Sequence, residues 1–145
     1  MVGFAIGAVL FVGACGGSGG GGSANDADAD GGGSRTIDGV VVEAGADLTG
    51  VNLSGADLSG ANFLDANLYQ ANLSGANLNI ANLHRADLVD ADMSRADLTD
   101  ADLSGTFLLN TNFREAILTG ADLSRSNRTT ADFTGATMPD GTKYP

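Results

Sequence analysis

The chain has very little with which to build a chemical centre. Its single cysteine, Cys15, excludes an intrachain disulfide and any multi-thiol metal cluster. Its single histidine, His84, has no second imidazole to work with, and there is no tryptophan. Cations are scarce: seven Lys and Arg stand against eighteen Asp and Glu, for a formal net charge of -11. That balance argues against nucleic acid as a partner and favours solubility. No apolar run reaches the roughly 20 residues that a membrane-spanning helix needs. Glycine, by contrast, is abundant, at 22 residues. It falls in two places, an early linker and regularly spaced positions later on, and none of it has the form of a phosphate-binding loop.

What is present is a period of five. From Ala46 to Asp140 the chain reads as nineteen consecutive five-residue units without insertion or deletion. Ala56-Asp57-Leu58-Ser59-Gly60, Ala61-Asn62-Phe63-Leu64-Asp65 and Ala66-Asn67-Leu68-Tyr69-Gln70 show the pattern: Ala, then Asp or Asn, then a large apolar residue, then two freer positions. In an α-helix such a period would spiral the leucines around every side. In a continuous strand it would flip them from face to face. Every unit must therefore contain a turn. The first and third residues point inward, the second points outward, and the fourth and fifth form the corner, where Gly, Ser, Thr, Asp and Asn crowd. Units this short cannot bury an apolar face alone and must stack as a solenoid.

These units resemble the pentapeptide repeat family, with its pattern Ala-(Asp/Asn)-Leu-X-X, over the whole of 46–140. The resemblance implies an all-β fold: a right-handed quadrilateral parallel β-helix with twenty residues per coil and about five coils. Spacings of twenty within the chain agree. Asp65 and Arg85 are opposite in charge, as are Arg95 and Glu115; Ser54, Ser74 and Ser94 recur; Phe113 and Phe133 share the central position. Nineteen units on four sides make a rod about 23 Å long. Leu48, Leu53, Leu58 and Phe63 should fill one layer of the core and Leu68, Leu73, Leu78 and Leu83 the next, with Ala56 and Ala61 where space is tight.

The segments outside the repeat divide as follows. Residues 1–14 form an apolar stretch suited to the core of a signal peptide. The segment Phe11-Val12-Gly13-Ala14-Cys15 resembles a bacterial lipobox, which implies lipidation of Cys15 and a membrane anchor in the cell envelope. No Lys or Arg precedes the stretch, and the competing reading is an ordinary secretory signal with an incidental cysteine, giving a secreted or periplasmic protein. Residues 15–35 carry the Cys and a Gly/Ser/Asp-rich linker, expected to be disordered. Asp26, Asp28, Asp30 and Gly31 imitate the start of an EF-hand loop, but Ile37 stands where the bidentate Glu belongs, so no calcium site is expected. Residues 36–45 should form a short strand capping the N-terminal edge, and 141–145 a C-terminal tail.

Chemistry is sparse within the repeat. His84 lies at an outward position with no evident partners, so no catalytic triad, no metal and no cofactor is expected, and the chain does not read as an enzyme. Asp87, Asp92, Asp97 and Asp102 should form an outward ring around one coil, with Asp90 and Asp100 at its corners, facing different ways. Arg128 holds an inward position and is expected near an open end, bent out to water. Phe107 and Ile117 take the second position, where Asp or Asn is usual. Tyr69, Val89 and Leu109 share the fourth position at intervals of twenty, and Phe107 falls on the same side. These four form a candidate partner-binding column, for an unidentified protein or for self-association; the bland alternative is drift at outward positions, or cover by the tail or linker. The expected function is a surface-anchored scaffold or protein-interaction module. The family resemblance also implies an alternative: an acidic rod that imitates DNA and modulates DNA gyrase, as fluoroquinolone-resistance pentapeptide proteins do.

Overall fold

The computed structural model describes residues 34–145. Residues 1–33 lie outside it, and with them the stretch expected to be a signal peptide, the expected lipidation site Cys15 and the acidic Asp26–Asp30 segment.

The repeat closes into a right-handed quadrilateral β-helix, one unit per side. Each corner is a four-residue turn. The N–H of a unit's first residue donates to the C=O of the preceding third residue, as in Val51 to Leu48 (3.1 Å) and Ala71 to Leu68 (3.0 Å). The fifth residue, inside that turn, takes a positive φ. Gly does so at 50, 55, 60 and 75, but so do Asp65, Gln70, Arg85, Asp90 and Arg95 at 55–58°. Left-handed backbone is costly for a residue with a Cβ, so the ladder between coils must hold it there. That ladder is strictly parallel with a register of twenty: Asp47 bridges Asn67, Asn67 bridges Asp87 and Asp87 bridges Phe107. The bridging narrows to the second residue of each unit, so the sides are single-residue bridges rather than extended strands.

The core is the axis of the rod. Leu58, Phe63, Leu68, Leu73, Leu78 and Leu83 are fully buried, with Ala61, Ala66 and Ala71 packed between them. Phe113 and Phe133 stack one coil apart, centroids 5.0 Å and planes 1° from parallel. Thr106 and Thr111 replace two inward alanines; each hydroxyl stays satisfied by donating to a carbonyl, Leu103 O and Leu88 O, at 2.7 Å. The charge pairs at spacing twenty lie side by side: Arg85 Nε sits 3.2 Å from Asp65 and Arg95 Nε 2.9 Å from Glu115. A third pair, Arg114 with Asp132 (3.2 Å), spans eighteen residues on a diagonal that the register alone does not reveal.

The ends are closed in different ways. Instead of one capping strand, the N-terminal end carries a hairpin of β1 (Arg35–Ile37) and β2 (Val40–Val42), paired antiparallel. Asp38 and Gly39 link them with φ of 50° and 81°, the doubly left-handed link that Asp-Gly favours. Ile37 and Val42 join the core, Arg35 Nη1 donates to Ser59 O (2.6 Å) and Gly45 N to Leu64 O (2.7 Å). The turn geometry of the repeat thus starts at Glu43, one unit before the inward leucines do: Glu43 O accepts from Ala46 N at 3.2 Å. At the other end the chain reverses at Gly141 and runs back antiparallel, Thr137 bridging Lys143. Tyr144 then leans on Phe133 at 5.9 Å. Arg128, at the inward position of the last rung on its side, is exposed.

Two neighbouring residues should respond in opposite directions. Leu78→Ala empties part of a fully buried layer and should lower unfolding free energy by about 2–5 kcal/mol in urea titrations. Ile80 is a β-branched residue at φ 51° and 61% exposed. Ile80→Asn relieves that conformation and should raise stability by about 0.5–1 kcal/mol in the same assay.

Candidate functional site

The first side of the rod carries 46–50, 66–70, 86–90, 106–110 and 126–130. Outward residues there are stacked by the ladder itself: Gln70 N donates to Val89 O (3.0 Å) and Asp90 N to Leu109 O (2.9 Å), while Asp87 bridges Phe107. Tyr69, Val89, Leu109 and Phe107 therefore lie on one side, as their spacing implies. Phe107 is 53% exposed, Leu109 37% and Tyr69 36%, and Val89 between them is half-buried. Tyr69 keeps its hydroxyl in use, accepting from Gln70 Nε2 at 3.2 Å.

Why Phe107 is exceptional follows from what its position normally does. The second residue of a unit points outward, yet its side-chain oxygen accepts the backbone N–H two residues on, capping the turn: Asn67 from Tyr69 (3.1 Å), Asp87 from Val89 (3.0 Å), Asn112 from Arg114 (3.1 Å). An asparagine here also reaches along the rod, as Asn77 Nδ2 does to Asp57 (3.0 Å) and Asn112 Nδ2 to Asp92 (2.9 Å). The Asp/Asn preference is thus a capping preference. Phe107 and Ile117 have no oxygen to offer and lose the cap.

The ring of Asp87, Asp92, Asp97 and Asp102 is present, one on each side, and each carboxylate accepts the amide two residues on at 2.9–3.0 Å. Asp90 accepts from Asn110 Nδ2 (3.0 Å), and Asp100 lies over Gly120, where a Cβ would overlap its Oδ1. Among the described residues no three His, Cys, Asp or Glu side chains converge on a metal-sized site.

His84 is not isolated. The register places Ser104 directly above it, with Nδ1 and Oγ 2.7 Å apart, and Ser104 Oγ donates to Asp102 Oδ1 at 2.5 Å. With the serine hydroxyl donating to the carboxylate, it is the Nδ1–H tautomer of His84 that completes the chain of hydrogen bonds. A nucleophilic triad needs the reverse, with the imidazole accepting the serine proton. The three side chains form a polar clasp between rungs.

Several carboxylates are held below their ordinary range. For Asp47, Asp132 and Asp140 the first cause is the hydroxyl of Thr49, Thr134 or Thr142, followed by the amide of the same residue. For Asp122 the Ser124 amide leads and its hydroxyl follows. Glu115 is lowered by the Arg95 guanidinium.

With this geometry in hand, known proteins give the class. A family model described as pentapeptide repeats matches residues 44–79, 66–105, 76–114 and 91–127. The chain belongs to the pentapeptide repeat family. HetL, a pentapeptide repeat protein involved in heterocyst differentiation regulation in the cyanobacterium Nostoc sp. strain PCC 7120, is 42% identical over 68% of this chain and 43% of its own, with a TM-score of 0.43. AT2G44920, from the Arabidopsis thaliana thylakoid lumen, is 37% identical over 66% of this chain and 70% of its own, TM-score 0.42. Rfr23, from the cyanobacterium Cyanothece 51142, is 27% identical over 70% of this chain and 90% of its own, TM-score 0.34. The chain spans less than half the length of HetL. No curated protein matches it.

The depressed carboxylates set a pH dependence. Each is deprotonated more readily folded than unfolded, so its stabilisation is complete above the ordinary carboxylate range and is lost as pH falls through the lowered value. Urea midpoints should change little between pH 7 and pH 5 and fall by pH 3. Removing two of the hydroxyls, in Thr134→Ala/Thr142→Ala, should make the pH 7 to pH 3 loss smaller than in the wild type.

Proposed function

We propose that the chain is a non-enzymatic interaction module of the bacterial cell envelope, a rigid rod that meets a protein partner, or a second copy, through its first side. The observation that carries this reading is Phe107. It forgoes the turn cap that Asp or Asn supplies at its position, and it presents an aromatic ring to water beside Leu109. Folding alone favours Asn there; binding favours the ring. Aromatic anchors dominate protein interfaces, and the column with Tyr69 and Val89 is on the order of a few hundred Å², the size at which a patch begins to act as a site. The placement in the envelope rests on the apolar stretch 1–14 and on Cys15 as a lipid-bearing residue, with 15–35 as the tether. The non-enzymatic reading draws on the pentapeptide repeat family and on the want of a convergent catalytic constellation among the described residues.

A second reading draws on the acidic balance of the chain, with the ring of four aspartates around one coil and Asp90 and Asp100 beside it: an acidic rod imitating DNA and modulating DNA gyrase. Inhibition of gyrase supercoiling by the purified protein, lost on charge neutralisation of that ring, would favour it over the first.

Two measurements check the leading reading. The variant Tyr69→Ser/Phe107→Asn/Leu109→Ser restores ordinary outward residues and should fold as the wild type does, yet lose partner recovery from cell extract or change oligomeric state. Unchanged partners and unchanged oligomeric state would remove the binding role. For the anchor, Cys15→Ser should shift the protein from the membrane to the soluble fraction, since stable anchoring needs acyl chains; equal partitioning would exclude lipidation.

A further inference from the structure

Inside the rod every coil offers the next the same groups. The third and fifth residues give their N–H outward along the axis, as Leu48 does to Asn67 O and Gly50 to Tyr69 O, both at 2.8 Å. The first residue gives its C=O, as Ala46 does to Asn67 N at 2.9 Å. At the C-terminal end the returning tail takes up part of this set: Gly135 N donates to Tyr144 O (3.1 Å), Met138 N to Thr142 O (2.7 Å), and Ala136 O accepts from Tyr144 N (2.8 Å). The rest of the rim is bare. Among the described residues, the amides of Leu123, Arg125, Arg128, Thr130 and Phe133 donate to no protein acceptor. They run in order along two adjoining sides and onto a third.

This rim also differs in charge from the rest of the rod. Arg125 and Arg128 are exposed, and among the described residues neither is in an ion pair, although the Arg125 charge is felt by Asp122. Of the nearby acids, Asp132 is held by Arg114, and Asp122 accepts the Ser124 amide at 2.8 Å. Residues 34–110, by contrast, carry eleven acidic side chains against three cationic ones.

We propose that the rim is a strand-addition site for an extended acidic segment of a partner protein. On the first side the free N–H groups of Arg128 and Thr130 call for a strand that brings carbonyls, and main-chain pairing of this kind is an established mode of peptide recognition. The amides of Leu123, Arg125 and Phe133 lie beyond the corners, out of reach of one extended segment. The charge of the occupant follows from Arg128. It stands at the third position and is exposed, so a strand laid on the first side runs past its guanidinium. An apolar side chain, or a leucine-bearing coil of a second copy, would bury that charge unpaired, which is strongly unfavourable. A carboxylate there makes a charge-assisted pair. Alternate residues of an extended strand face opposite ways, so one acid faces Arg128 while its neighbours stay in water. The core below is already closed, with Leu123 and Phe133 buried. Binding therefore draws on hydrogen bonds and charge rather than apolar area, and is salt-sensitive.

The test uses the full chain, labelled with ¹⁵N, and three heptapeptides. One is Thr-Ala-Ser-Glu-Ser-Ala-Thr, which repeats no stretch of this chain, one has Lys in place of that Glu, and one is the Glu peptide methylated at the backbone amides that face the rim. The acidic peptide should shift the amide resonances of Arg128 and Thr130 and slow their hydrogen exchange, with affinity falling as salt rises. The Lys peptide and the methylated peptide should not. Arg125→Glu/Arg128→Glu, at two exposed positions, should weaken binding about tenfold; should that variant fail to fold by circular dichroism, the methylated peptide on the unaltered chain decides. No shift at the rim amides, shifts centred elsewhere, or equal binding of the Lys peptide would overturn the proposal. So would concentration-dependent broadening of the same resonances without peptide, which would make a second copy the occupant.

Discussion

One corner, repeated along the chain, governs the rod. The C=O of each unit's third residue accepts the N–H of the next unit's first residue, and the residue before that donor turns left-handed. Four such corners return the chain to its starting side, and the register of twenty follows. The register then does the rest. It brings every third residue to one axis, where leucine and phenylalanine pack in layers, and it aligns the amides and carbonyls that knit the coils together. Residues such as Arg85, Asp90 and Glu115 accept a left-handed backbone only because the rungs on either side hold them. Corner and ladder support each other, and neither is stable alone.

That arrangement separates the positions that fold the chain from those free to do something else. The first and third residues are committed to the core. The residue between them faces outward, yet it is not free, because its oxygen caps the turn. The fourth is the position least bound by the fold, and residues twenty apart there become neighbours in a column. A side chain that departs from the rule at the fourth position costs little and says little. At the second position it gives up a hydrogen bond, which makes Phe107 more informative than Tyr69 or Leu109.

A solenoid must also end. Here the N-terminal hairpin lays Ile37 and Val42 over the first layer and supplies Arg35 and Gly45 as donors to the first coil. The C-terminal strap is shorter: it takes up the amides of Gly135 and Met138 and, among the described residues, leaves those of Leu123, Arg125, Arg128, Thr130 and Phe133 without a protein acceptor. Arg128, in a position that a large apolar residue fills elsewhere, is tolerated because none of the described residues forms a coil over it. The charge that would destabilise the middle of the rod gives its end a distinct surface.

Much of this was legible in the sequence. A five-residue period with leucine at its centre excludes helix and flat strand by geometry, so the solenoid, its layers, the pairs Asp65–Arg85 and Arg95–Glu115, and the shared side of Tyr69, Val89, Phe107 and Leu109 follow from counting. The Asp-Gly pair at 38–39 is of the type that links hairpins, but the segment around it reads as one strand. What counting could not supply were relations that depend on side-chain direction and on where neighbouring rungs stop. The clasp of His84 on Ser104 required knowing that the hydroxyl leans to Asp102. The Arg114–Asp132 diagonal required the reach of a guanidinium across a corner. The bare rim required knowing how far the tail returns. The sequence by itself determined the coil, because a strict local period leaves the backbone one way to repeat. The tertiary structure alone decided which backbone groups at the ends stay open, because that depends on where the chain folds back on itself, and no period describes a place where the repeat stops.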